Sequence, residues 1–307
     1  MTIMVTGGMG FLGSNLVPML REQGYRVVSY DRRVKDHGGD DGLTYVQGDL
    51  LDLPLLLETI RKHRIERIIH TAAISHPVTA IEIPYQTVLT NALGTTNVFE
   101  AARLSGITRV VNLSSEYAYG NNAELGIVTE DVPLHPSGVY GATKVFTEKL
   151  AYGYRNLYGL EIPSLRPGWL YGPGQFMQCY MKDLIQNAIR KEPTCLKEGR
   201  DYGFQYVHVK DVAKACICAM EADAASMKSY VYSITAGYKT TFGELIAFVQ
   251  ELYPDAAIDV GEGRFAELDH YGTFDITKAR EEIGYVPSMP FEESVRAYAR
   301  WLENNPY

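Results

Sequence analysis

The chain has 307 residues, 46% hydrophobic and 21% charged, with 28 glycines and 14 prolines, a composition that supports a sizeable core and excludes a disordered or collagen-like polymer. Twenty-nine Lys and Arg against 37 Asp and Glu leave a net charge of −8. No basic run is longer than Asp31-Arg32-Arg33-Val34-Lys35, so the footprint of a nucleic-acid partner is missing. No stretch approaches the roughly 20 apolar residues of a spanning helix. The chain enters a strand and a glycine turn without a charged-then-apolar leader, so a cytoplasmic protein with no membrane partner is expected. Cys179, Cys195, Cys216 and Cys218 make no CxxC pair and have no histidine at metal spacing, so neither a disulfide framework nor a metal site is expected.

Short, β-branched apolar runs at Ile3–Val5, Arg26–Tyr30, Thr44–Val46, Arg67–His70, Val110–Leu113 and Glu161–Arg166 predict buried strands. Between most of them apolar residues return every three or four positions, which predicts helices over Phe11–Gln23, Leu53–His63, Pro84–Leu104 and Val139–Tyr158. Alternating strand and helix implies an α/β protein with a doubly wound parallel sheet. Pro18 falls inside the first helix, where a lost N–H and a ring clash ordinarily kink the chain. Beyond Arg166 the pattern loosens. Strands are expected near Gln205–Val209 and Tyr230–Thr235 and helices near Phe242–Leu252 and Phe291–Glu303, in a smaller C-terminal α/β domain. The boundary is drawn at residues 1–168 and 169–307, with the segment near 205–222 returning to the first domain.

The first strand runs into Thr6-Gly7-Gly8-Met9-Gly10-Phe11-Leu12-Gly13, a GxxGxxG at a strand-to-helix turn. Glycines there permit a tight turn, close approach to a pyrophosphate and close helix packing, while the helix N-terminus offers N–H groups and a positive dipole. Asp31 closes the second strand, where an acidic side chain can accept hydrogen bonds from an adenosine ribose, which favours NAD. Arg32 and Arg33 follow and can reach a 2′-phosphate, so NADP is the alternative. Asp49 and Leu50, after the third strand, are expected beside the adenine.

A second constellation is Ser114-Ser115 after a strand and Tyr140-Gly-Ala-Thr-Lys144 opening a helix. At i and i+4, Tyr140 and Lys144 share a helix face. A nearby ammonium favours the phenolate, so Tyr140 can act as general acid or base at a carbinol or carbonyl, with a serine hydroxyl on the same oxygen.

With these motifs the chain resembles the extended short-chain dehydrogenases/reductases, in the NAD-dependent epimerase/dehydratase branch. The resemblance covers nearly the whole length. It also includes His70-Thr-Ala-Ala73, Asn91-Ala-Leu-Gly94, Leu113-Ser-Ser-Glu-Tyr-Ala-Tyr-Gly120, Leu165-Arg-Pro-Gly-Trp-Leu-Tyr-Gly-Pro-Gly174 and Tyr206-Val-His-Val-Lys-Asp211. It implies a Rossmann domain and a catalytic trio of Ser115, Tyr140 and Lys144, the last also anchoring the ribose. It further implies that Gly7, Gly10, Phe11, Leu12 and Gly13 cradle the cofactor, that Ala72 and Ala73 wall it, that Asn91 braces the cofactor site and that Pro167 approaches the nicotinamide. Substrate is expected between the domains, and a homodimer through the helices at 84–104 and 139–158.

The chain departs from its family at informative places. Members acting on nucleotide-diphosphate sugars usually carry Asn where Trp169 stands and often Arg where Phe204 stands. Arg190, Arg200 or Arg264 are the possible replacements for the lost diphosphate contacts. Dehydratases place an Asp-Glu pair after the catalytic hydroxyl, whereas Ser115 is followed by Glu116 and Tyr117, so elimination is disfavoured. Ser75, His76, Glu116 and Trp169 are the candidate substrate residues, with Gln175 and Phe176 shaping the pocket. The expected activity is hydride transfer between NAD and a hydroxyl-bearing carbon of a carbohydrate-derived substrate, a free sugar or sugar acid. The alternatives are a nucleotide-sugar 4-epimerase with tightly held NAD and a catalytically silent dinucleotide-binding sensor, against which the intact trio argues.

Overall fold

The computed structural model describes residues 1–34 and 41–305; Lys35, the end of the basic run, lies outside the described residues. The N-terminal half runs β1 (Thr2–Thr6), α1 (Phe11–Glu22), β2 (Arg26–Asp31), β3 (Leu43–Gln47), α2 (Leu53–His63), β4 (Arg67–His70), α3 (Pro77–Glu82) and α4 (Pro84–Val88). After a π-helical turn at Leu89–Leu93 come α5 (Gly94–Leu104), β5 (Arg109–Leu113), β6 (Ile127–Val128), α6 (Val139–Tyr158) and β7 (Ser164–Pro167). The remainder is β8 (Trp169–Tyr171), α7 (Tyr180–Arg190), β9 (Thr194–Leu196), β10 (Gly203–Phe204), β11 (Tyr206–His208), α8 (Val209–Glu221) and β12 (Val231–Ile234). It closes with β13 (Thr240–Thr241), α9 (Phe242–Leu252), β14 (Ile258–Val260), β15 (Thr273–Phe274), α10 (Thr277–Ile283) and α11 (Phe291–Asn304).

Seven strands form one parallel sheet in the order β12-β7-β5-β4-β1-β2-β3. This is the doubly wound α/β arrangement the alternation implies. Because helices cover both faces, strand residues of either parity are buried. In β1, Ile3 and Val5 join Leu16 and Leu20 of α1 and Val212 and Cys216 of α8. Met4 points the other way, into Leu56 and Ile60 of α2 and Val98 and Phe99 of α5. Strand order reverses between β1 and β4, which opens a crevice at the carboxyl ends of the strands.

Pro18 does not break α1. It is exposed, as is Ser14 one turn earlier, while Leu16, Val17 and Leu20 face the core. The Ser14 carbonyl that loses its partner therefore lies on the solvent side. The single helix expected over 84–104 is instead α4, the π turn and α5; apolar spacing runs through all three, so periodicity alone cannot register the wider turn.

The strand near Val207 does not return to the large sheet, because β12 occupies the outer edge of β7. β11 pairs instead with β8 in a separate ladder. α8 does return, packing with α1 into the sheet's core. A second core, rich in aromatic residues, gathers Tyr171, Tyr202, Phe204, Tyr206, Phe242, Phe265 and Tyr298 from the C-terminal elements. The four cysteines are free. Among the described residues no helix is long and apolar enough to cross a membrane.

Candidate active site

A cleft of about 850 Å³ lies at the crevice and extends to the second core. At one end the turn after β1 is held by the Gly7 N–H, which donates to the Tyr30 carbonyl at 2.8 Å, and by the Gly10 N–H, which donates to the Gly7 carbonyl at 2.9 Å. Gly7 has φ +69°, and a Cβ there would sit 2.7 Å from the Ala72 backbone; at Gly13 a Cβ would meet the Gly7 oxygen at 2.2 Å. These two glycines make the turn and seat α1 on it. At Gly10 an added Cβ would meet only that same oxygen, at 3.1 Å. α1 opens with no side-chain cap and no acid in its first turn, so the N–H groups of Phe11, Leu12 and Gly13 and the positive helix end are left for an anion. The open cradle fits a pyrophosphate.

Asp31 accepts from the Met9 N–H at 3.1 Å and from the Arg33 N–H at 3.0 Å, tying β2 to the glycine turn. Asp31, Arg32, Arg33, Asp49 and Leu50 line this end of the cleft. Asp49 is itself in a tight turn, accepting from the Leu51 N–H at 2.9 Å. Ala72, Ala73 and Pro167 line the middle.

The two serines after β5 have different partners. Ser114 donates to Glu148 at 2.5 Å, and that carboxylate forms a buried pair with Arg166 at 2.6 Å. Ser115 Oγ accepts from the Tyr117 N–H at 3.3 Å, and Ser115 shares the cleft wall with Tyr140. Lys144 lies one turn further along α6; its Nζ is 5.6 Å from the Tyr140 ring centroid and donates to the Leu113 carbonyl at 2.6 Å. Burial pushes Tyr140 up to about 12, with the Ser115 hydroxyl opposing and the Glu116 charge adding to it. Burial also pushes Lys144 down to about 8, against the attraction of Glu148. Desolvation, rather than the ammonium, is the largest influence on the phenol. A buried phenol with a serine hydroxyl on the same wall and an amine behind it can give or take a proton at an adjacent oxygen.

Asn91, expected at the cofactor, does not line the cleft. From the π turn it accepts from the Ile74 N–H at 2.8 Å and donates to the Ile74 carbonyl at 3.0 Å and to Thr143 at 3.2 Å. Its amide is used in clamping the loop after β4 to α6. His70, buried between Thr6 at 2.7 Å and Thr95 at 2.9 Å, ties β4 to β1 and α5. Burial lowers it to about 3, so the ring is neutral.

Across the cleft, His76 contacts the Gln178 carbonyl at 3.1 Å through Nε2, and the Ser75 hydroxyl lies 3.9 Å from the Met177 sulfur. Both residues line the cleft. Glu116, 1% exposed, has no partner at Oε2, and burial followed by the Asp269 charge raises its carboxyl well above the usual range. Trp169 packs edge-on against Phe204 at 4.9 Å, with its indole N–H buried and unpartnered. Gln175 lines the cleft but is committed to Leu170, Cys179 and Tyr298. Phe204 lies beneath Trp169 in the second core, away from the cleft surface, and Arg190, Arg200 and Arg264 do not line the cleft. Tyr117, Tyr180, Asp183, Glu267 and Leu268 also line it. Sequence reasoning passed over all five as site residues: Glu267 lies 87 positions from the Tyr180 hydroxyl that bonds it, a separation no local pattern encodes.

A Rossmann-type crevice with an open glycine cradle and a buried Ser-Tyr-Lys trio defines a dinucleotide-dependent enzyme of the short-chain dehydrogenase/reductase class. The family model for the NAD dependent epimerase/dehydratase family matches residues 3–235, and the chain belongs to that family. It is an NAD-dependent enzyme. A putative UDP-glucose 4-epimerase of Methanocaldococcus jannaschii is 28% identical over 315 residues, covering 99% of both chains. The UDP-glucose 4-epimerase of Thermotoga maritima, solved with UDP-glucose, superposes with a TM-score of 0.90 at 26% identity, covering 100% of both. MoeE5, solved with UDP-glucose and NAD, gives a TM-score of 0.88 at 27% identity, again over 100% of both.

Proposed function

We propose that this enzyme transfers hydride between NAD and a hydroxyl-bearing carbon of a carbohydrate-derived substrate, with Tyr140 as the proton-transfer group. The observation that carries this reading is the buried Tyr140 phenol with Ser115 and Lys144 beside it, on the cleft wall that the glycine cradle shares. NAD, when bound, supplies the hydride acceptor. In oxidation the ionised Tyr140 oxygen takes the substrate hydroxyl proton; in reduction its O–H returns a proton to the carbonyl oxygen. Ser115 orients that oxygen, and Lys144 holds the ribose and stabilises the phenolate. The cradle residues Gly7, Gly10 and Gly13 with Asp31 hold the dinucleotide.

The test is absorbance of reduced nicotinamide with free sugars, sugar acids and nucleotide sugars, run beside Tyr140→Phe. A steady rise that the substitution abolishes is expected. The second reading, a nucleotide-sugar 4-epimerase, draws on two structural neighbours solved with UDP-glucose; it predicts isomerised nucleotide sugar with no lasting absorbance change. Residues 1–168, joined by α8 and β12, form the cofactor half in this reading, and the rest of 169–307 the substrate half. We further infer a cytoplasmic homodimer. Tyr85 and Val88 of α4 and Phe146 of α6 are exposed apolar residues on the helices expected to pair, and light scattering that returns a monomer mass overturns the dimer.

A further inference from the structure

We propose that the buried Glu148–Arg166 pair is a positioning device for the reaction, gripping the Ser115 segment at both ends so that Ser115 stands against Tyr140 and Lys144. The inference rests on the hydride-transfer reading and adds to it two residues that lie off the cleft wall.

The trio comes from two places: Ser115 follows β5, whereas Tyr140 and Lys144 sit on α6. The strand end must therefore be held against the helix. Tyr140, Lys144 and Glu148 recur every four residues along one face of α6. Asn112 and Ser114, two apart in the chain, both turn toward that helix. The Asn112 amide donates to Thr147 at 3.4 Å, and the Ser114 hydroxyl donates to Glu148 at 2.5 Å. Between them the Leu113 carbonyl accepts from Lys144 at 2.6 Å. Ser114 is also fixed through its backbone, its N–H donating to the Leu165 carbonyl of β7 at 2.7 Å. Of the two side-chain links, the one to Glu148 is shorter, involves a charge and adjoins Ser115 in the chain.

Arg166 makes Glu148 a rigid anchor. Its Nε donates to Oε1 at 2.8 Å and its Nη2 to Oε2 at 2.6 Å, a bidentate grip. Its Nη1 donates to the Glu130 carbonyl at 3.3 Å, and the guanidinium lies 4.4 Å from the centroid of the Tyr119 ring. Ser114 is thus held by the acid and Tyr119 by the base, with Ser115, Glu116 and Tyr117 on the cleft wall between them. Both charged side chains are 3% exposed. A buried ion pair adds little net stability over packed apolar groups, so stability alone does not account for this one. The same carboxylate favours the Lys144 ammonium against burial.

Ser114→Ala releases one end of the segment while leaving Glu148 paired with Arg166, so no buried charge is stranded. It is expected to lower kcat about tenfold, with KM and NAD affinity within about threefold of the unsubstituted enzyme. Amide hydrogen exchange over residues 113–117 is expected to speed up about tenfold, with β1 and β4 unchanged. Glu148→Leu combined with Arg166→Met removes both charges together and is expected to lower kcat about a hundredfold with KM unmoved; if that double variant does not fold, Ser114→Ala decides alone. Full kcat in Ser114→Ala, unchanged exchange over 113–117, or a loss spread equally over kcat and NAD affinity overturns the proposal. Failure of the hydride-transfer reading is distinct: the unsubstituted protein would then give no net reduced nicotinamide. The amide exchange, and the rate of any isomerisation found in its place, would still decide whether the pair positions Ser115.

Discussion

At the glycine end of the cleft the wall is largely backbone: Gly7 turns because its φ is positive, Gly13 lets α1 rest on the Gly7 carbonyl, and the helix opens without a cap. At the other end the wall is side chain, with Glu116 and Tyr117, Trp169, Tyr180 and Glu267 arriving from four separate segments. A backbone wall is specified by conformation over eight residues and suits one invariant ligand. A side-chain wall is specified residue by residue, so its chemistry can differ while the fold stays that of its relatives.

Four substitutions sharpen or break this contrast. The largest effect is expected at the seam: Tyr140→Phe should lower hydride-transfer kcat by about 10²–10⁴-fold while NAD affinity, read by fluorescence titration, stays within about threefold. Gly13→Ala comes next. Its methyl cannot fit beside the Gly7 oxygen, and overpacking of about 1–3 kcal/mol should weaken NAD by roughly ten- to a hundredfold, leaving sugar binding to the substrate half little changed. If the sugar affinity falls equally, the two walls are not separable.

Lys144→Met probes buried charge. Because folding lowers the lysine from 10.5 to about 8, the unfolded chain binds more protons between those values, and this group's contribution to stability rises with pH across that window. In denaturant melts of cofactor-free protein, the advantage of Lys144→Met at pH 7 should shrink as pH approaches 10; a constant difference contradicts the buried amine. Glu116→Gln probes a buried acid in the same way. A carboxyl raised by burial makes the folded protein retain its proton, so its cost appears only above the unfolded pKa. A gain of about 1–3 kcal/mol at pH 7 that vanishes near pH 4 is expected, measured by thermal melts.

The same division governs what could be read in the sequence. The strands, the cradle and the placing of Tyr140 beside Lys144 were legible because each is a local pattern: apolar runs, glycine spacing, i and i+4 on one helix; Ser115, 25 positions from Tyr140, came only from the family resemblance. The π turn was not, since its apolar spacing is that of a helix. Asn91 was identified as a brace, but that its amide serves the Ile74 backbone and lies off the cleft wall emerges only in three dimensions. Asp183, Glu267 and Leu268 carry no motif, and the edge taken by β12 could not be inferred from strand propensity. The burial that raises the Tyr140 phenol has no signature in the sequence, whereas an ammonium four residues away does.

Trp169 offers a practical use of that lopsided cleft. The chain has two tryptophans; Trp301 stacks on Tyr298 at the edge of the second core, whereas Trp169 lies on the cleft wall beside Pro167. Emission that responds to added sugar and is lost in Trp169→Phe would come from the substrate end alone, giving an unlabelled optical gauge of occupancy that works for ligands the enzyme never turns over.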